Sequence, residues 1–144
     1  MSYDVKREAH VHGALWAKQA AGYFSDPNMA KDYVAAIMRV ASNDKPSAIA
    51  DLGGGTGFIL EQLIEAGFSE NIKLVNIDES DAQLALCKDP RITPIKGAFE
   101  SFRRVDIVSE TGRMMVISRS VLQYGGIFKQ KPWLDHVRGQ MKPG

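Results

Sequence analysis

The stretch Asp51-Leu52-Gly53-Gly54-Gly55-Thr56-Gly57 constrains this chain more than any other. It overlaps the end of Ser47 to Leu52, a short apolar run that reads as a buried parallel strand. It leads into Thr56 to Ala66, which carries Leu60, Leu63 and Ile64 on one face and reads as a helix. Having no side chains, Gly53, Gly55 and Gly57 let the backbone turn tightly and approach a ligand closely. The start of the following helix offers free N–H groups. At the carboxyl end of a strand, such a loop lies where doubly wound sheets bind their ligands.

The rest of the chain repeats the alternation. Residues 5–24 are alanine-rich and read as helix. A second, amphipathic helix follows Asp26-Pro27, with Met29, Tyr33, Val34, Ile37, Met38 and Ala41 at helical spacing. Asp44-Lys45-Pro46 stops it. Gly67 is a C-terminal stop for the helix after the glycine loop. Ile72 to Ile77 reads as a second strand ending at Asp78. Ser80-Asp81-Ala82-Gln83 has the form of a capping box, and its helix runs to Asp89-Pro90 with Cys87 buried on it. Ile92 to Ile95 is a short strand that Pro94 confines to an edge. A helical turn over Ala98 to Arg103, a fourth strand at Met114 to Ile117 and a helix over Lys131 to Met141 complete the pattern. Strands alternating with helices predict an α/β fold, with a doubly wound parallel sheet covered on both faces.

The spacing of the loop argues against two common ligand motifs. A phosphate-cradling P-loop needs Gly-Lys-Ser/Thr at its end, and here Phe58 follows Gly57. The dinucleotide fingerprint needs Gly or Ala five positions after its first glycine, and that position is again Phe58. What remains is an acid, Asp51, leading alternate glycines. A second acid, Asp78, lies 25 positions after Gly53. A carboxylate there can accept hydrogen bonds from both hydroxyls of a ribose. The competing reading of Asp78 is a cap for the helix after Ser80.

On these residues the chain resembles the class I S-adenosylmethionine-dependent methyltransferases. Asp51 to Gly57 matches the family's glycine-rich motif, and Asp78 its ribose acid. Lys96-Gly97-Ala98-Phe99 is similar to the segment that flanks adenine. Ile117 to Tyr124 is similar to the fourth strand and its loop, and Met141 to Gly144 to the turn before a fifth strand. The resemblance implies a Rossmann-like, mostly parallel core over residues 47–144, with 1–46 as an N-terminal helical lid. It implies S-adenosylmethionine as cofactor, with Asp51 near its amino group, Gly53, Gly55 and Gly57 packed on it, and Asp78 with Glu79 at the ribose. Ala98 and Phe99 would border adenine, and Ser118 and Arg119 would lie at the sulfonium end. Ala98 stands where the family often has Asp, so side-chain contact to the adenine amino group is lost. Only four of the family's seven strands are readable, which is expected of a truncated chain. It would leave the edge of the fourth strand open to self-association.

Methyl transfer is a direct displacement in which the protein supplies position and environment. A base for a hydroxyl or amine acceptor is sought among Arg119, Ser120 and Tyr124, and among Tyr3, His12, Trp16 and Tyr23 of the lid. Composition bounds the partners. Eighteen basic against seventeen acidic residues in 144 give a net charge of +1 and no bulk case for nucleic acid. The Arg103-Arg104 pair is expected to face solvent. No run approaches the roughly 20 apolar residues of a membrane span, and the N-terminus lacks a secretory signal. A soluble, cytoplasmic protein acting on a small molecule is expected. His10 and His12 face apart on a helix and His136 adds nothing, so no metal site is expected. The rival readings are an NAD-dependent oxidoreductase and a non-catalytic cofactor-binding fragment.

Overall fold

Buried on both faces, the residues Ala48–Leu52 can only be an interior strand, and this strand, β1, organises the sheet. The structure is a computed structural model that describes residues 25–68, 71–119, 121–122 and 126–141. The expected helix over 5–24 lies outside the described residues. So do Tyr3, His10, His12, Trp16, Tyr23, Ser120, Gln123, Tyr124 and residues 142–144. The elements in order are helix α1 (Pro27–Asp44), β1, helix α2 (Phe58–Glu65), strand β2 (Lys73–Asp78), helix α3 (Asp81–Leu84) and strand β3 (Ile92–Lys96). A 3-10 turn at Arg104–Asp106, strand β4 (Met114–Ile117) and helix α4 (Gly126–Met141) follow. The sheet is parallel throughout, in the order β3-β2-β1-β4.

Local chemistry explains most boundaries. Asp26 caps α1 by accepting the Asn28 N–H at 2.9 Å, and Pro27 occupies the first helical position. Ala30, Val34, Ile37 and Ala41 are its buried stripe. Gly67, at φ +82°, ends α2. Its N–H donates to the Ile64 carbonyl and that of Phe68 to Leu63, the two bonds of a Schellman stop. Pro94 sits on edge strand β3, as expected, where its missing N–H disrupts no interior ladder.

The core lies in two layers. On one face Ile49, Leu74, Ile92 and Ile117 pack under α1 and α2. On the other, Ala48, Ala50, Leu52, Val75 and Ile77 meet Phe99, Phe102, Ile107, Val108 and Trp133. Trp133 anchors α4 by stacking on Phe99, with ring centroids 5.2 Å apart.

Four boundaries depart from the sequence reading. The helix after the glycine loop begins at Phe58 rather than Thr56, because Gly57 at φ +83° is its cap. The α3 helix stops at Leu84 rather than at Asp89, leaving Cys87 half-buried beyond its end. Leu86 is exposed, so no apolar face holds a further turn to the core. In place of a turn running from Ala98 to Arg103, a tight turn at Ala98–Ser101 precedes the 3-10 turn. The last helix begins at Gly126 rather than Lys131 and runs through Pro132. The carbonyl that Pro132 cannot serve is that of Phe128, a residue 85% exposed and so on the solvent side of the helix. Among the described residues β4 has a strand neighbour, β1, on one side only. No helix among them is long and apolar enough to cross a membrane.

Candidate cofactor site

Parallel strands bring the ends of β1, β2 and β4 side by side, and the sequence-predicted acids stand there. Side chains alternate along β1, so Asp51 shares the face of Ile49, beneath α1 and α2. It is 3% exposed. Beyond Leu52 the chain crosses to β2: the Gly53 N–H donates to the Ile77 carbonyl at 2.7 Å. The Gly55 N–H then donates to Asp78 Oδ2 at 2.9 Å. Gly53, Gly55 and Gly57 all have positive φ, as a loop that doubles back onto two strand ends requires.

Crowding explains the remaining glycine. A Cβ on Gly54 would lie 2.2 Å from Asn76 Oδ1 and 2.8 Å from the Asp51 carboxylate. Asn76 is fully buried, and its Nδ2 donates to the Gly55 carbonyl at 2.9 Å. Beneath Gly57 the Cys87 sulfur fills the space that a Cβ would need, at 2.7 Å. The loop thus rests on Asn76 and Cys87 from below. Gln83, also buried, lies against Gly55.

The capping reading of Asp78 holds in part. Its Oδ1 accepts the Ser80 N–H at 2.8 Å, so it does help to start α3, but Ser80 itself is the cap. Oδ1 thus holds the Ser80 N–H and Oδ2 the Gly55 N–H. Burial pushes its carboxyl above the usual carboxylate range, and the N–H groups of Ser80, Gly55 and Glu79 oppose that. Glu79 is exposed beside it.

At the end of β4, Ser118 donates its hydroxyl to the Leu52 carbonyl at 3.0 Å. The phenol of Tyr33, on α1, donates to the Ser118 carbonyl at 3.1 Å. The Arg119 guanidinium lies over the Phe58 ring, 5.9 Å from its centre. Asp51, Gly53, Gly55, Gly57, Asp78, Ser118 and Arg119 are thus brought together. Ala98 and Phe99 follow the edge strand β3, and the Phe99 side chain is buried against Trp133. His12 and Tyr124 lie outside the described residues.

Sequence reasoning missed Tyr33, Asn76 and Gln83 as parts of this site. Tyr33 read as one more member of an apolar helical stripe. Asn76 gave a usable signal, since a lone amide in Leu74-Val75-Asn76-Ile77 needs a polar reason to be buried. One other expectation is corrected. Arg104 does not simply face solvent: its guanidinium bonds the Gly112 carbonyl, leaving Arg103 to pair with Asp106 on the surface. His136 is spent on the Phe102 carbonyl, 2.9 Å away.

The electrostatics centre on Asp51. Burial raises its carboxyl from 3.8 to about 7, with Asp78 pushing the same way and Arg119 opposing. The folded chain therefore binds more protons than the unfolded chain between about pH 4 and pH 7. The stability that Asp51 contributes falls as pH rises through that window and levels off above it. Asp51→Asn removes this slope. In urea unfolding the variant should gain on the wild type by more than about 1 kcal/mol between pH 5 and pH 8. Parallel pH profiles would show that Asp51 is ionised at low cost.

No protein-family model and no curated protein matches the sequence. Solved structures do match. One is the amino pentose methyltransferase of calicheamicin biosynthesis from Micromonospora echinaspora, with S-adenosylmethionine bound, at TM-score 0.57 and 20% identity over 93% of this chain and 52% of that one. A second is an S-adenosylmethionine-dependent methyltransferase from Geobacter sulfurreducens with S-adenosylhomocysteine, at TM-score 0.58 and 16% identity over 88% and 49%. A third is the plantazolicin methyltransferase BpumL with a substrate analogue and S-adenosylhomocysteine, at TM-score 0.56 and 19% identity over 94% and 56%. The chain has the Rossmann-like fold of S-adenosylmethionine-dependent methyltransferases and spans about half the length of these structures.

Proposed function

We propose that this chain is the cofactor-binding part of an S-adenosylmethionine-dependent methyltransferase that acts on a small-molecule acceptor in the cytoplasm. The observation that carries the reading is the pair of carboxylates, Asp51 and Asp78, at adjoining strand ends around a loop with three left-handed glycines. The donor chemistry fits the cofactor. Asp78 is the carboxylate acceptor placed for the ribose, at the end of β2 beside the loop. Asp51 is a buried acid whose ionisation a bound ammonium would restore, since an opposite charge favours the charged form. The glycine loop, pinned to Ile77 and Asp78, sets how closely a nucleoside approaches.

When bound, the cofactor supplies a methyl group activated by a sulfonium. The chain's own residues orient it: Asp51 and Asp78 fix two of its ends, and the backbone at Ala98 and Phe99 borders the adenine. Ser118 and Arg119 form the wall at the reacting end. The small-molecule acceptor is supported by the near-neutral charge, and by neighbours whose names refer to an amino pentose and to plantazolicin.

Thermal unfolding tests this reading. S-adenosylhomocysteine at about 100 times its dissociation constant should add roughly 2.7 kcal/mol of stability, and NADH should add none. Stabilisation by NADH alone would instead support the oxidoreductase.

A further inference from the structure

We propose that Asn76 is a positioning residue of this site: together with Asp78 it clamps Gly55 at both ends and so sets where the glycine loop stands over β2. That the clamp serves cofactor binding rests on the function proposed above, whereas the clamp itself does not.

The clamp follows from the alternation of side chains along β2. Leu74, Asn76 and Asp78 share one face, and Val75 and Ile77 share the other. Asn76 and Asp78 are thus successive residues on one face, and both reach Gly55. Asp78 Oδ2 accepts the Gly55 N–H at 2.9 Å, and Asn76 Nδ2 donates to the Gly55 carbonyl at 2.9 Å. Both backbone polar groups of Gly55, a residue at φ +59°, are therefore taken by β2 side chains.

Nothing in the strand itself calls for an amide. Asn76 is fully buried in a strand whose other interior residues are Leu74, Val75 and Ile77. The direction of its amide is set by the loop: turned over, Oδ1 would face the Gly55 carbonyl, oxygen against oxygen. The direction that serves Gly55 leaves Oδ1 against Gly54, with no hydrogen-bond partner among the described residues. Buried polar atoms are seldom left so. One end of the amide goes unsatisfied while the other holds the loop. The same amide lies near Gly57, whose Cβ would stand 3.5 Å from Nδ2. Gly53 is held differently, by backbone alone: its N–H donates to the Ile77 carbonyl at 2.7 Å.

Amide hydrogen exchange, read by NMR at Gly53 and Gly55 in the full chain without ligand, tests the clamp. Asn76→Leu removes the donor and keeps the volume. Asn76→Ala removes the donor without crowding Gly54. Freed at its carbonyl, Gly55 should lose protection of its N–H. In either variant it should exchange about threefold to tenfold faster relative to Gly53, the effect of one hydrogen bond. A purely structural role would loosen both glycines alike, and that result would overturn the proposal. So would an unchanged Gly55 rate in both variants. Calorimetric titration then reads the site: both variants should bind S-adenosylhomocysteine about threefold to tenfold more weakly than the wild type. Unaltered affinity beside a faster Gly55 would overturn the positioning role. A wild-type chain that fails to bind S-adenosylhomocysteine overturns the function proposed above and leaves the exchange result readable.

Discussion

Asp78→Ala is expected to weaken S-adenosylhomocysteine binding by about 100-fold or more. The side chain is asked to do two jobs. Its oxygens hold the Gly55 and Ser80 N–H groups, which shape the glycine loop and start α3. Its remaining lone pairs are those proposed to take the ribose hydroxyls. Hydrogen bonds to a charged group are worth roughly 1.5–3 kcal/mol each, and about 1.4 kcal/mol is tenfold in affinity. Losing two such bonds alone therefore reaches a factor of about 100. Asp78→Asn, which keeps an acceptor but loses the charge, should fall between the two. Calorimetric titration measures all three. Equal affinity in Asp78→Ala and the wild type would place the ligand elsewhere.

Gly54→Ala should cost about 3 kcal/mol and lower Tm by about 10 °C, the largest effect of any single methyl added to the loop. The new carbon would meet Asn76 Oδ1 at 2.2 Å and the Asp51 carboxylate at 2.8 Å. Neither can retreat easily: Asn76 is fully buried and tied to the Gly55 carbonyl, and Asp51 is buried beside it. Two comparisons separate crowding from backbone strain. Gly67 has no neighbour within 4 Å but a φ of +82°, so Gly67→Ala should cost only the strain, about 1 kcal/mol. Gly139 lies inside α4 with neither constraint, so Gly139→Ala should be neutral or stabilising by up to about 1 kcal/mol. Equal effects at Gly54 and Gly139 would mean that the loop is not packed on Asn76 and Asp51.

The parts legible in the sequence were those written locally. Ala48–Leu52 is apolar but for Asp51, and a run of that kind suits a central strand buried on both faces. The glycines announce positive φ, and Pro94 announces an edge. Asp26-Pro27 and Gly67 mark helix ends by their own chemistry. The illegible parts depend on partners far away in the chain. Tyr33 belongs to the site because α1 lies over the end of β4, 85 residues away, and its spacing says only that it is on a helix. Phe99 reads as a neighbour of the cofactor segment, and its spacing does not tell that its side chain stacks on Trp133 of a helix more than 30 residues later. Arg104 looks like half of a surface pair until the Gly112 carbonyl comes round to meet it. The short α3 shows the reverse case, in which a good capping box starts a helix that the core does not extend.

The central claim is that the glycine loop and its two carboxylates form a site for S-adenosylmethionine. Isothermal titration of the chain with S-adenosylhomocysteine, run beside NADH, tests it most directly. The account predicts saturable one-site binding of S-adenosylhomocysteine and no binding of NADH. A cooperatively folded chain that gives no heat with S-adenosylhomocysteine, or that binds NADH instead, would contradict it.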